Sequence, residues 1–350
     1  MFIDPTKLIT LADQKLIQKM RIAINGFGRI GRVLYRLLSE REDVEVIAIN
    51  DIGKADVLCH LLKYDSVHRT YKGNISLDGS TLICGTQTSE FLQITDPSDL
   101  PWNALNIDLV IEATGLFRTR ELASKHLTAG AKQVLLSAPA QSSDIKMIVL
   151  GVNDEIMDGS EDIISNASCT TNCAAPMVKI MNEICDIDQA YITTVHSYTS
   201  DQQLHDAPHD DFRRARAGAS SIVPTTTGAA KAVTKLFPHI QLGGCGIRVP
   251  VPDGSLTDIT FVVKNQCSEE TINAAFKEAS EKGPLKGILS YIEDPIVSTD
   301  IIGDTHSCTF DSQLTSVLGS MVKIVAWYDN EMGYSSRMVD LILKIKALRS

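Results

Sequence analysis

Apolar positions in the first half of the chain fall into short runs that stop abruptly at glycine or polar residues. Ile22 to Ile24 is one such run, ending in Asn25-Gly26-Phe27-Gly28-Arg29-Ile30-Gly31. After it Ile30, Val33, Leu34, Leu37 and Leu38 recur at helical spacing. This predicts a strand, a tight turn and a helix. Val44 to Ile49 reads as the next buried strand, with Asn50-Asp51 at its carboxyl end, completing a βαβ unit. Further runs at Ile107 to Ile111, Val134 to Leu136 and Met147 to Val152 alternate with a helical stretch near Glu121 to Thr128, which predicts an open parallel sheet. Beyond Cys169 the pattern changes. A strand at Tyr191 to His196 is followed by an irregular stretch to Thr227, then by Ile259 to Val263, a helix from Thr271 to Lys282 and a strand at Val322 to Trp327. That mixture predicts a second, α+β domain with a larger sheet. Met338, Leu341, Ile342 and Ile345 mark an amphipathic closing helix. The chain contains no internal repeat and no low-complexity segment.

Length and composition narrow the class. At 350 residues the chain is too long for one core, and two domains are expected. With 44% hydrophobic and 22% charged residues it is neither disordered nor membrane-spanning. The 33 Lys and Arg against 43 Asp and Glu leave a net charge of -10, which argues against nucleic acid or an anionic membrane as primary partner. Any phosphate must meet a local cluster. Cys59, Cys84, Cys169, Cys173, Cys185, Cys245, Cys267 and Cys308 are scattered without a CxxC pair, so a reducing, intracellular compartment without disulfide staples is expected. Residues 1–19 lack the apolar core of a secretory signal. They also lack Arg and Ser and carry Asp4 and Asp13, unlike a transit peptide, so they read as an extension of open role.

Three constellations carry chemistry. In the glycine turn, Gly26 allows the reversal, Gly28 lets backbone approach a pyrophosphate, and Gly31 lets helix pack on strand. Asp51, twenty residues further on, can accept hydrogen bonds from an adenosine ribose. A purely structural turn is the bland alternative. The second constellation is Ser165 to Cys173, where an apolar strand runs through polar residues into Ala174, Ala175, Met177, Val178 and Ile180. Cys169 is expected at a helix N-terminus, where the dipole favours thiolate. A buried structural cysteine, or a metal or disulfide pair with Cys173, remains open. His196 ends an apolar strand and opens a polar segment, which makes it the candidate base, while the other seven histidines read as structural. The third constellation is anionic. Phe212-Arg213-Arg214-Ala215-Arg216 is the densest basic cluster, Pro224 to Lys231 offers hydroxyls and a glycine at a helix start, and Arg248 is a charge inside an apolar strand. Solvated charges and a helix cap are the alternatives.

Together these residues resemble the phosphorylating, NAD-dependent glyceraldehyde-3-phosphate dehydrogenase family. The likeness runs from Met20 to the C-terminus through INGFGRIG, SNASCTTNC, VHSYTSDQ, RRARAGA, PTTTGAAKAV, RVPVPDGS and WYDNEMGYSSRMVDL. It implies an α/β Rossmann NAD-binding domain over 20–168, completed by a C-terminal helix at 331–350, and an α+β catalytic domain with a large mixed sheet over 169–330. It also implies a cytoplasmic homotetramer in which segment 198–225 lies near neighbouring cofactors. Cys169 is then the nucleophile and His196 the base. Ser168, Thr170, Arg214, Thr227 and Gly228 surround one phosphate, inorganic or of the substrate, and Thr199 and Arg248 the other. Gly26, Gly28, Arg29, Ile30, Gly31, Asp51, Ser137 and Asn330 contact NAD, and no metal is implied. The expected reaction converts glyceraldehyde 3-phosphate and inorganic phosphate to 1,3-bisphosphoglycerate through a cysteine thioester, with the thiolate favoured by the helix dipole and a protonated His196. Asp51 predicts NAD over NADP, although Ala207-Pro208 is compatible with either. Three features depart from the family: Thr95 where a basic residue usually precedes Asp-Pro, the acidic His209-Asp210-Asp211, and residues 1–19. Erythrose-4-phosphate dehydrogenase is the rival within the fold, and a redox-responsive, non-enzymatic binding protein is the rival outside it.

Overall fold

The computed structural model describes residues 19–349, so the extension expected at 1–19 lies outside the described residues but for Lys19. The first sheet is built from β1 (Met20–Asn25), β2 (Val44–Asn50), β3 (Ile75–Asp78), β4 (Thr81–Cys84), β5 (Gln87–Leu92), β6 (Leu109–Glu112), β7 (Val134–Leu136), β8 (Lys146–Met147) and β9 (Ile163–Ser165). Helices α1 (Arg29–Ser39), α2 (Ala55–Lys63) and α3 (Arg120–Thr128) connect its strands. Strand order is β3-β4-β5-β2-β1-β6-β7-β9-β8. The strands from β5 to β8 pair in parallel, while β4 runs antiparallel to β3 and β5. The expectation of an all-parallel sheet is thereby corrected at one edge. Those edge strands are short, and they are joined through Gly79 and Gly85 at positive φ, so their apolar signal is weak. A second correction concerns Met147 to Val152. Only Lys146 and Met147 pair as strand; Ile148 donates one last amide to the Ser165 carbonyl at 2.8 Å, and Val149 and Leu150 are buried by packing.

After β9 comes α4 (Cys169–Cys185), then β10 (Ile187–Ser197), β11 (Val223–Thr225), α5 (Ala229–Leu236), β12 (Gln241–Val249), β13 (Ser255–Val263), α6 (Glu269–Glu281), β14 (Leu289–Ile292), β15 (Cys308–Asp311), β16 (Ser316–Leu318), β17 (Met321–Tyr328) and α7 (Met332–Arg349). The second sheet has the order β11-β12-β10-β13-β17-β15-β14, with β16 paired to β17. Ile192, Ile259, Phe261, Ile324 and Ala326 point to one face and pack with Cys173, Met177, Val178 and Met181 of α4. The structure also joins Cys185, at the end of α4, to Cys267, just before α6, as a disulfide with Cα atoms 6.2 Å apart. This corrects the expectation of a chain without such a bridge; the two cysteines are 82 residues apart and only the fold brings them together.

A buried polar network pins the carboxyl ends of the central strands. Asn25 Nδ2 donates to Glu112 Oε2 at 2.6 Å and Asn50 Nδ2 to Asn25 Oδ1 at 2.7 Å. Trp102 Nε1 donates to His126 Nδ1 at 3.0 Å, which leaves the imidazole proton on Nε2, facing Glu112 Oε2 at 3.1 Å. His126 therefore has the structural role expected of it. Glu112 also accepts from the Thr114 amide, and the Thr114 backbone lies against Gly26. At Gly26, with φ 95°, a Cβ would stand 2.7 Å from Thr114 N, and at Gly31 it would stand 2.2 Å from the Gly26 carbonyl oxygen. Gly28 differs: its φ is -71° and a Cβ there meets nothing within 4 Å. Gly31→Ala is expected to lower the thermal midpoint, since backbone must shift. Gly28→Ala should melt like the parent, because its Cβ meets open space, and, on the expectation that a pyrophosphate approaches here, bind a dinucleotide roughly tenfold more weakly in a titration.

Candidate active site

The chain must turn sharply between β9 and α4. Ala167 makes the turn at φ 55°, in the left-handed region that a non-glycine residue seldom adopts. Its peptide is held from both sides, the N–H donating to Ser165 Oγ at 3.0 Å and the carbonyl accepting from Tyr334 OH at 3.0 Å. Ser168 then caps α4 by accepting from the Thr171 amide at 3.1 Å, a contact worth about 1 kcal/mol over alanine. Cys169 follows as the first helical residue, its free thiol half-buried.

His196, near the end of β10, faces this thiol with Nε2 3.4 Å from Sγ. Arg248 is its register partner on β12. Nδ1 of His196 lies 2.6 Å from Arg248 Nη1 and 2.7 Å from the Ser197 carbonyl, which Arg248 Nη1 also reaches at 3.0 Å. A guanidinium only donates, so Arg248 serves both the ring nitrogen and the carbonyl, and the imidazole proton sits on Nε2. Burial, with Arg248 beside the ring, pushes His196 down to about 3, and burial pushes the Cys169 thiol up to about 11. The pair is neutral in this state. Burial therefore opposes both the expected thiolate and the expected imidazolium, while the Arg248 charge opposes the imidazolium and favours the thiolate.

Two cavities meet at this pair. The larger, about 740 Å³, is lined by Arg29, Ile30, Ser137, Thr199, Tyr334 and Asn330, and the smaller, about 170 Å³, by Thr170, Arg214, Thr227 and Gly228. Ser168, Cys169, His196 and Arg248 line both. Gly26, Gly28, Gly31 and Asp51 line neither cavity and instead shape the turn beside the larger one. Asp51 accepts from the Phe27 and Gly53 amides, each at 2.7 Å. The larger cavity fits a dinucleotide on the structure's own terms: the N-terminus of α1 has no side-chain cap, so its amides are available, and space stands open over Gly28. The phosphate candidates are already engaged. Arg214 pairs with Asp201 at 2.6 Å and donates to Thr225 Oγ1 at 2.9 Å, Thr227 Oγ1 caps the Ala229 amide, Thr170 Oγ1 meets Tyr328 OH at 2.9 Å, and Ser168 Oγ meets Thr171 Oγ1. Thr95 is exposed, and its neighbour Asp96 is paired to Lys125 at 2.8 Å.

Several residues in the site escaped the sequence reading. Tyr328 sits under the base with its ring 6.0 Å from that of His196. Ser197 and Ser255 both donate to Asn330 Oδ1. Arg29 ion-pairs with Glu331, next to Asn330, and with Asp65 at 2.6 Å, while His68 Nε2 reaches Glu331 at 2.8 Å. Burial alone would raise Glu331, but the bonds from Arg29 and His68 hold it below the usual carboxylate range. Asp253, fully buried alongside, goes the other way. Burial, then the charges of Asp329 and Glu331, push it up to about 9, so it keeps its proton at neutral pH. The motifs VHSYTSDQ, RVPVPDGS and WYDNEMGYSSRMVDL contain Ser197, Asp253, Ser255, Tyr328 and Glu331, but within them only His196, Thr199, Arg248 and Asn330 were singled out.

Comparison with known proteins points in one direction. The profile described as "Glyceraldehyde 3-phosphate dehydrogenase, NAD binding domain" matches residues 20–120, and that described as "Glyceraldehyde 3-phosphate dehydrogenase, C-terminal domain" matches 168–330. A glyceraldehyde-3-phosphate dehydrogenase of Mycobacterium avium is 52% identical over 332 residues, covering 92% of this chain and 97% of the relative. Glyceraldehyde-3-phosphate dehydrogenase 2 of Streptomyces avermitilis is 50% identical over 327 residues, with the same coverage of 92% and 97%. That of Mycolicibacterium smegmatis is 49% identical over 333 residues.

The raised Asp253 gives a pH signature. An unfolded aspartate loses its proton near pH 4, whereas the folded one holds it to about 9. This group's contribution to stability is therefore full below pH 4 and declines as pH rises through that window. Asp253→Asn should remove the decline, so that its melting temperature relative to the parent rises between pH 5 and pH 9, as read by thermal melts across that range.

Proposed function

We propose that the chain, which belongs to the glyceraldehyde 3-phosphate dehydrogenase family and is an NAD-dependent oxidoreductase, oxidises glyceraldehyde 3-phosphate through a thioester on Cys169, with inorganic phosphate as second substrate. The observation that carries this reading is the 3.4 Å approach of Cys169 Sγ to His196 Nε2 at the junction of the two cavities.

A neutral Cys169 needs a base at the moment of attack. A phosphate group engaging Arg248 draws the guanidinium from His196 Nδ1; Nδ1 then takes a proton from solvent in the cavity and donates it to the Ser197 carbonyl, while Nε2 gives its proton back to solvent and is left as an acceptor. Sγ attacks the aldehyde carbon while its proton passes through Nε2 to the carbonyl oxygen, giving a thiohemiacetal. The dinucleotide supplies one piece of chemistry, acceptance of the hydride from that carbon. His196 takes the hydroxyl proton as the thioester forms. The oxygen of inorganic phosphate then attacks the thioester carbon, the C–S bond breaks, and His196 returns its proton to Cys169, releasing 1,3-bisphosphoglycerate. The oxyanion faces His196 and the uncapped amide of Cys169. Arg214, Thr227, Gly228, Ser168 and Thr170 form one phosphate position and Thr199 with Arg248 the other. This is supported by the cavity they line, with Arg214 exchanging Asp201 for the anion.

The domain division at 20–168 and 169–330, with the terminal helix returning to the first domain, is supported by the two separate sheets and by the packing of Met338, Leu341 and Ile345 with Leu34 and Leu38 in one core. A homotetramer is supported by the second sheet. Tyr191, Val195, Ile247, Leu256, Val262 and Trp327 lie on the face away from α4 and remain at least partly exposed. No helix among the described residues is long and apolar enough to cross a membrane, and the net charge of -10 disfavours nucleic acid. A cytoplasmic site of action accords with six free thiols, Cys169 among them.

Mixing enzyme with NAD and glyceraldehyde 3-phosphate should give a burst of NADH absorbance, larger in turnover than with erythrose 4-phosphate. Cys169→Ser should lose turnover by at least about a thousandfold while binding NAD normally, because serine supplies no comparable nucleophile at neutral pH. Substantial phosphorylating activity in that variant would overturn the assignment.

Asp51 selects the cofactor on this reading, because its carboxylate would meet the 2'-phosphate of NADP with like charge. Steady-state kcat/KM should favour NAD. Asp51→Asn should narrow the ratio while also weakening NAD somewhat, since Asp51 holds the Phe27 and Gly53 amides.

A further inference from the structure

Asn330 offers its carboxamide to the larger cavity, and the orientation of that group decides whether an oxygen or an amino group faces the cofactor. Ser197 Oγ lies 2.8 Å from Asn330 Oδ1 and Ser255 Oγ lies 2.7 Å from the same atom. Ser255 Oγ already accepts from the Ser197 amide at 3.1 Å, so its own proton needs an acceptor, and Asn330 Oδ1 provides it. All three residues are buried, at 0%, 1% and 7% exposure for Ser197, Ser255 and Asn330. A reversed carboxamide would set its amino group against both hydroxyls and cost the oxygen two donors.

We propose that Ser197 and Ser255 are positioning residues that lock the Asn330 carboxamide with its amino group toward the cavity, where it selects the orientation of the nicotinamide carboxamide by donating to its oxygen. This rests on the reading that Asn330 meets the nicotinamide. Ser197 immediately follows His196 on β10, so one strand end holds both the base and this lock. Ser255 begins β13 and Asn330 follows β17, so three neighbouring strands converge on one oxygen.

The test compares NAD with ADP-ribose, which shares every part of the cofactor except the nicotinamide. Dissociation constants for both are measured by titration on the parent, on Ser197→Ala, Ser255→Ala and their double variant, and on Asn330→Ala. The double variant should bind NAD about tenfold more weakly and ADP-ribose as the parent does, the size expected when a hydrogen bond is lost. Retained ADP-ribose binding also shows that the fold stands. Equal weakening of both ligands, or of neither, in the double variant overturns the proposal. If Asn330→Ala itself leaves the ratio of the two constants unchanged, the underlying reading of Asn330 fails. If Asn330→Ala changes it and the double serine variant does not, only the serine lock fails.

Discussion

A permanent positive charge at Arg248, set in register beside the base, governs the state of the whole site. Because a guanidinium cannot give up its proton, every neighbour must adapt to it. His196 stays neutral with Nδ1 turned to accept and the Ser197 carbonyl turns its oxygen inward, while burial holds the proton on Cys169 against the pull of Arg248 toward thiolate. Arg214, by contrast, has Asp201 as counter-ion. The two arginines are thus unequal: one must be drawn away from a carboxylate, the other arrives without one.

What the sequence made legible was local chemistry. The strand, glycine turn and helix at 22–38, Asp51 at the end of the second strand, and Cys169 at a helix N-terminus all depend on residues close in the chain. What it concealed was long-range. The serine lock joins residues 197, 255 and 330, the proton on Asp253 is held by carboxylates 76 and 78 positions away, and Cys185 meets Cys267 only after α4 and α6 have packed. The apolar run at 148–150 misled for the opposite reason, since burial alone does not make a strand. The thiolate was expected from the helix end, a local effect, and is opposed by burial, a tertiary one, even though Arg248 pulls toward it.

The two sheets are stitched by polar contacts concentrated next to the cofactor cavity. Arg29 of α1 reaches Glu331, which also accepts from His68, and the Asp329 carboxylate caps the start of α7 by accepting from the Glu331 and Met332 amides. Asn330 lies between these two acids. Asn330, which we propose meets the nicotinamide, is therefore fixed from the same short segment that clamps the first sheet to the second, so on this reading cofactor placement and domain placement share their anchors.

The strained peptide at Ala167 carries a consequence for biosynthesis. Its carbonyl is held by Tyr334, on the last helix of the chain, while Cys169 lies near the middle. A nascent chain long enough to display the cysteine still lacks the tyrosine that holds the turn beneath it. The ribosome therefore supplies the prop for the nucleophile's seat about 165 residues after the nucleophile, and a product terminated between the two carries the thiol without the bond that holds the turn beneath it.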